Sequence, residues 1–253
     1  MSRVATLTDD TGTRAVSDVV GYVLVFSLVT LTIGTVFAVG IVGVEQRQEA
    51  EQISNVERAF DVFDDNLRDV QRYEDPSRST EIRLSGGTLS LTESTRVQLI
   101  NDSGGVVLER NPRALRYTNG DTTIGYELGA WFRSDGDASV MRSGPRFVTA
   151  DGQTTLPLVL LYPDGETSVS GAATVQVDAG GLRSTVGATH DGEPLTLRIE
   201  SPHADAWAQY FEQADGFTLE NEPAATDGVV VASFEETDSV YVHRVALDVA
   251  LRR

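Results

Sequence analysis

The chain has 253 residues, with 38 Asp and Glu against 20 basic residues and a net charge of −18; every basic residue is Arg. That length supports one large domain or two small ones with a true core, and that charge repels phosphate backbones, so nucleic acid is not an expected partner. With no Cys, disulfides, thiolate zinc sites and cysteine nucleophiles are excluded.

Residues 19–44 carry no charge over 26 positions. At 1.5 Å per residue such a helix reaches roughly 39 Å, more than the ~30 Å hydrocarbon thickness of a bilayer. The segment therefore predicts a transmembrane helix, with membrane lipid as its surroundings; a signal h-region is usually shorter, and a core helix of this length normally shows a polar face. Positive charge does not orient the span, since Arg3 and Arg14 precede it and Arg47 and Arg58 follow it. The bulk of the chain follows the span and reads as an exported β-rich domain, which puts the N-terminus in the cytoplasm.

Just ahead of the span stands GTRAVSDVVGYVLVF, residues 12–26. This stretch resembles the class III signal of archaeal type IV pilins and pilin-like proteins, in which a basic and a small residue precede the cleavage point and a short Val-Ser stretch leads into the helix. Arg14, Ala15, Val16, Ser17, Val19, Val20 and Gly21 match; Asp18 stands where many members have Pro. The resemblance implies a leader over residues 1–15, cut between Ala15 and Val16 by a prepilin-peptidase-like enzyme, and pilin subunits as neighbours of the mature helix. An uncleaved anchor is the alternative. The absence of Lys, with 21 Asp against 17 Glu, resembles proteins of salt-loving archaea, and the whole chain is similar to an uncharacterised haloarchaeal group of membrane-anchored β-rich proteins. At ordinary salt the self-repulsion of such a charge loosens a fold, whereas molar salt shortens the Debye length to about 3 Å.

Within the span, Ser27, Thr30, Gly34 and Ala38 follow one another at spacings of 3, 4 and 4, a stripe of small side chains along which helices can approach closely in lipid. Gly and Thr are also simply frequent in membrane helices. Residues 45–75 continue as an amphipathic helix: Ile53, Val56, Phe60, Phe63, Leu67 and Val70 are spaced 3, 4, 3, 4 and 3, an a/d seam that must lie on a neighbouring helix or a sheet. Glu74-Asp75-Pro76-Ser77 ends it.

From residue 76 the pattern turns to period two with turn punctuation. Gly86-Gly87 reads as a hairpin turn between Ile82–Leu84 and Leu89–Leu91, and Asn119-Gly120 as a second one. Leu156–Tyr162 reads as a central or two-sided strand; Val175–Val177, Leu195–Ile199 and Val229–Phe234 add others. In the last strand the odd positions Tyr241, His243, Val245, Leu247, Val249 and Leu251 face a core, with Arg244 and Asp248 facing out. One helix interrupts, with Ser201 as N-cap, Pro202 in its first turn, Gly216 after its last, and Trp207, Tyr210, Phe211 and Ala214 on a core-packing stripe. The fold class expected is α+β: a long N-terminal transmembrane and amphipathic helix followed by an antiparallel β-sandwich-like domain of nine to twelve strands over residues 76–253, with one inserted helix.

Chemistry is sparse. No phosphate loop, dinucleotide fingerprint, HExxH, EF-hand loop or nucleophile elbow occurs. His190, His203 and His243 are scattered, and acid pairs such as Asp135 and Asp137 arise by chance in so acidic a chain. No catalytic residue, metal site or cofactor is expected. Asn101-Asp102-Ser103 fits the N-glycosylation sequon. The expectation is thus a pilin-like surface protein rather than an enzyme, entering a type IV-like filament as a minor subunit. The competing expectation is a single-pass surface binding or adhesion protein with an uncleaved anchor.

Overall fold

The computed structural model describes residues 12–73, 77–93, 95–186, 190–191, 194–220, 228–234 and 239–253, with side chains for all of these except 12–18, 38–49, 182, 186 and 190–191. Helix α1 (Gly12–Tyr73) is the first described element. Contacts divide the molecule into two units, Met1–Glu51 and Gln52–Arg253.

In the first unit, Val19–Phe37 is long and apolar enough to cross a membrane, with a mean hydropathy of 2.2 and none of it buried. Three of its hydroxyls are satisfied within the helix: Thr30, Thr32 and Thr35 donate to the carbonyls of Phe26, Leu28 and Leu31 at 2.8, 2.7 and 2.8 Å. That is how such groups exist in hydrocarbon without an unpaired polar atom.

Among the described residues, the second unit holds the rest of α1, fifteen strands and one short helix. The strands are β1 (Ser77–Thr92), β2 (Arg96–Asn101), β3 (Val106–Arg110), β4 (Ala114–Asn119), β5 (Thr122–Glu127), β6 (Ala130–Asp135), β7 (Ala138–Ser143) and β8 (Val148–Ala150), followed by β9 (Gln153–Pro163), β10 (Ser168–Val186), β11 (His190–Asp191), β12 (Leu195–Glu200), β13 (Phe217–Leu219), β14 (Val229–Phe234) and β15 (Ser239–Arg252). Helix α2 (Ala204–Gln213) lies between β12 and β13. The expected nine to twelve strands fall short because several of the short strands, β8, β11 and β13 among them, are too brief to show periodicity.

Two sheets form. The larger has the order β7-β6-β5-β4-β1-β10-β15-β9-β8, with β11 beside β15; the smaller has the order β13-β14-β12-β2-β3. Among the described residues, pairing is antiparallel throughout except between β15 and β9, which run parallel. The α+β class with a sandwich-like domain is what the period-two pattern predicts, and a helix layer is added to it. The seam of α1, Ile53, Val56, Phe60, Phe63, Leu67 and Val70, is buried against Ile82, Tyr126, Trp131, Val175, Val245 and Leu247 of the larger sheet. The opposite face of that sheet, through Phe132, Leu156, Leu158, Leu160, Val240 and Val242, meets Val97, Leu99, Leu197, Ile199 and Val230 of the smaller sheet and Trp207 and Phe211 of α2. β9 serves both cores by alternation, with Val159 and Leu161 on one side and Leu158 and Leu160 on the other, so the two-sided reading of Leu156–Tyr162 holds.

Three local expectations need correction. Gly86-Gly87 is not a turn: β1 runs straight through it, with a register shift against β10 between Ser85 and Thr88. The doubled glycine makes a bulge, where Gly87 adopts φ +72° and a Cβ would meet the Thr118 carbonyl oxygen at 2.5 Å. Helix α2 begins at Ala204 with His203 at its N-cap; Ser201 Oγ instead accepts the His203 N–H at 2.9 Å, just ahead of the helix. His243 is half-buried. The odd face of β15 does point toward the α1 side, but the helix covers it only from Val245 onward. The hairpin at Asn119-Gly120 is present, with Asn119 paired to Thr122 across Gly120-Asp121.

Candidate functional site

The residues expected to govern processing and helix packing lie in α1. Arg14, Ala15 and Val16 fall within the helix, but their side chains are outside the described residues, as is that of Ala38. Ser27, Thr30 and Gly34 are exposed, and nothing lies within 4 Å of where a Cβ on Gly34 would stand. Three of the four stripe positions therefore offer an open strip of small groups along the apolar segment. Tyr22 stacks on Phe26 one turn on, with ring centroids 6.4 Å apart.

Beside the buried seam of α1 runs a polar line that the hydrophobic pattern did not mark. Glu57, Asp61, Asp64 and Arg68 recur at spacings of 4, 3 and 4, one flank of the helix. Each reaches the sheet or its neighbour. Arg133 donates from Nη1 to Glu57 at 2.9 Å, Trp131 donates from Nε1 to Asp61 at 3.1 Å, and Arg68 donates to Ser143 and pairs with Asp64 at 2.8 Å. Charged groups thus fix the helix's rotation and register on β6 and β7, while the apolar seam supplies the burial energy. Asp64 is the strained member. It is 2 % exposed, and its Oδ1 finds no hydrogen-bond donor among the described residues. Burial pushes its carboxyl up to about 6, against the opposing pull of Ser143 and Arg68.

Where α1 runs out, the sheet face it would have covered is open. Asp65, Arg68, Asp69, Gln71 and Arg72 of the helix, Arg146, Pro157 of β9 and His243 of β15 line a cleft of about 530 Å³. His243 and Pro157 are register partners on the parallel pair, and His243 Nε2 shares a hydrogen bond of 2.8 Å with the Ser184 hydroxyl. Three guanidinium groups converge here in a chain of net charge −18.

A second polar cluster is sealed in the other core. Glu127 is 1 % exposed and accepts hydrogen bonds from Thr95, from Ser201 and, at 2.9 Å, from Trp207 Nε1. Next to it His203 lies flat on Phe132, ring centroids 4.7 Å apart, with Nδ1 between the hydroxyls of Ser134 and Ser139 at 3.2 and 3.0 Å. Burial lowers the pKa of this imidazole, and Glu127 only partly offsets it. Burial likewise lowers that of Arg116, which feels the same carboxylate. A carboxylate with three donors is a structural anchor: it ties the residue just before β2, the end of β5, the segment before α2 and α2 itself together.

The remaining residues singled out in the sequence lie apart from these clusters. Asp135 is held by Arg133 and Thr122, and these hydrogen bonds, Arg133's the stronger, depress its pKa. Asp137 is exposed in the turn between β6 and β7, and the His190 side chain is outside the described residues. Among the described residues no three of His, Asp and Glu gather as a metal would require. Trp207 and Phe211 are core residues, as their spacing suggested. Asn101 ends β2 and heads an exposed turn.

An uncharacterized protein of Archaeoglobus fulgidus is 31% identical over 81 residues, an alignment covering 32% of this chain. The aligned part is 27% of that relative's length, so the chain spans about a quarter of it. No solved structure matches the chain. A family model described as "Family of unknown function (DUF7289)" matches residues 14–250, which takes in both the end of α1 near the expected cleavage point and nearly all of β15. The chain belongs to that family.

Proposed function

We propose that the chain is a pilin-like, membrane-anchored surface protein without catalytic activity, with its N-terminus in the cytoplasm and its β-rich domain outside the cell. A prepilin-peptidase-like enzyme cuts between Ala15 and Val16, and the mature helix enters a type IV-like filament as a minor subunit beside other pilin subunits. The observation that carries this reading is the division of labour along α1. Val19–Phe37 is apolar and wholly unburied, while Ile53–Val70 of the same helix is bedded on a sheet. An apolar segment so exposed must be covered by lipid or by like helices, and the open strip at Ser27, Thr30 and Gly34 suits the latter.

The test is N-terminal sequencing of the protein taken from membranes, together with a search for it in sheared surface filaments. A start at Val16 and recovery with filaments support the reading. A start at Met1 or Ser2, with no filament recovery, replaces it with a single-pass surface binding protein on an uncleaved anchor. The observation favouring that second reading is the arginine-lined cleft at the end of α1, which is large enough to hold a small ligand.

A further inference from the structure

We infer that Asn101 is a carbohydrate attachment site, glycosylated on Nδ2 from a lipid-phosphate-linked oligosaccharide; the inference rests on the reading that the β-rich domain faces outward. Of the six Asn in the chain, Asn101 alone begins an Asn-X-Ser/Thr triplet. The fold sets it where an enzyme can reach it, because Asp102, Ser103, Gly104 and Gly105, the turn between β2 and β3, are all exposed.

The side chain is held with its nitrogen free. Asn101 Oδ1 accepts the Gly105 N–H at 2.6 Å and the Ser103 hydroxyl at 2.9 Å, while Nδ2 makes no hydrogen bond among the described residues. Backbone bonds from Asn101 N–H to Gly105 O and from Gly104 N–H to Asn101 O, both 2.9 Å, close the same turn. Gly105 leaves room for this arrangement, since a Cβ there would stand 3.0 Å from Oδ1. The sequon hydroxyl and the acceptor amide are thus already in contact. In the transfer, the bond between the sugar's anomeric carbon and the lipid phosphate oxygen breaks. A carbon–nitrogen bond to Nδ2 forms, the amide gives up one proton, and the lipid phosphate leaves.

The location also gives the sugar a physical task. β3 is the end strand of the smaller sheet and exposes Val106 and Val107 directly after the turn. An apolar sheet edge invites pairing with another chain, and a hydrated glycan rooted at the turn obstructs that approach.

Full-length protein from the membranes of its native cells, digested with trypsin, yields the peptide 97–110, bounded by Arg96 and Arg110. Mass spectrometry of this peptide, with protease accessibility of the domain on intact cells measured in parallel, decides the matter. A peptide heavier by whole sugar units, with the added mass lost completely in Ser103→Ala and retained in Ser103→Thr, supports the inference. An unmodified peptide from a domain that protease reaches on intact cells overturns it while leaving the outward orientation standing. An unmodified peptide from a protected domain overturns both.

Discussion

Arg68 holds Asp64 at 2.8 Å across one turn of α1, yet the carboxyl is pushed up to about 6 because burial outweighs the pairing. A guanidinium shared with Ser143 satisfies one oxygen of Asp64 and leaves the other without a donor among the described residues. The pair positions the helix at a cost in stability near neutral pH.

The sign of that cost follows from linkage. Folded Asp64 binds its proton more tightly than an ordinary Asp at 3.8, so its favourable contribution is complete below about pH 4 and is lost as pH rises through about 6. Asp64→Asn fixes the neutral form and is expected to raise the melting temperature at pH 7 and flatten the pH dependence between 4 and 6. Two pKa units at about 1.4 kcal/mol each set a ceiling of about 3 kcal/mol. Melts of the full chain in detergent from pH 4 to 8 check this, and a destabilised Asn variant at pH 7 refutes it.

The seam of α1 makes a second test. Phe63 sits edge-on to Tyr126 at 5.2 Å and beside Phe60 at 6.4 Å. Phe63→Ala is expected to cost about 3–5 kcal/mol, whereas Val62→Ala, at an exposed position one residue away, changes stability by less than about 0.5 kcal/mol. Denaturant titration of both variants reads the contrast; equal effects mean the helix is not bedded on the sheet.

At the bulge, Gly87→Ala places a methyl against the Thr118 carbonyl and forces a non-glycine residue to φ +72°. A loss of about 1–3 kcal/mol is expected. Ser85→Ala, on the exposed side of the same strand, is the control. An alanine at position 87 that melts like the native protein refutes the bulge geometry.

Charge sets the fourth expectation. With a net charge of −18, the folded state repels itself, and screening at about 3 Å in molar salt relieves it. The melting temperature is expected to rise steadily from 0.1 M to 2 M potassium chloride. A flat response means that local ion pairs such as Arg183 with Asp248 already neutralise the field.

Periodicity carried the α1 seam, because six apolar residues on one face declare a stripe whatever they pack against. It also carried β9 and the odd face of β15, where alternation is local. It misread Gly86-Gly87, since a doubled glycine signals a break in regular pairing without telling a bulge from a turn. It placed His243 indoors because a strand's face is visible in sequence but the length of helix covering that face is not. The second-core role of Val240 and Val242 was hidden by their place on the side assigned to solvent. The Glu127 cluster was out of reach altogether: Thr95, Ser201 and Trp207 come from segments that only the fold brings together, and Glu127 looked like one acid among 38. The polar flank at Glu57, Asp61, Asp64 and Arg68 did leave a trace in its 4, 3, 4 spacing, masked by the abundance of charge on that helix.

β15 lies between β10 and β9 and contributes to both cores, although it follows every other described strand in chain order. Until it arrives, β9 lacks its parallel neighbour and the bed for Phe60 and Phe63 lacks Val245 and Leu247. Closure of the domain waits on contacts between residues far apart in sequence, which makes acquisition of the native state slow. The delay is written into the order of the strands.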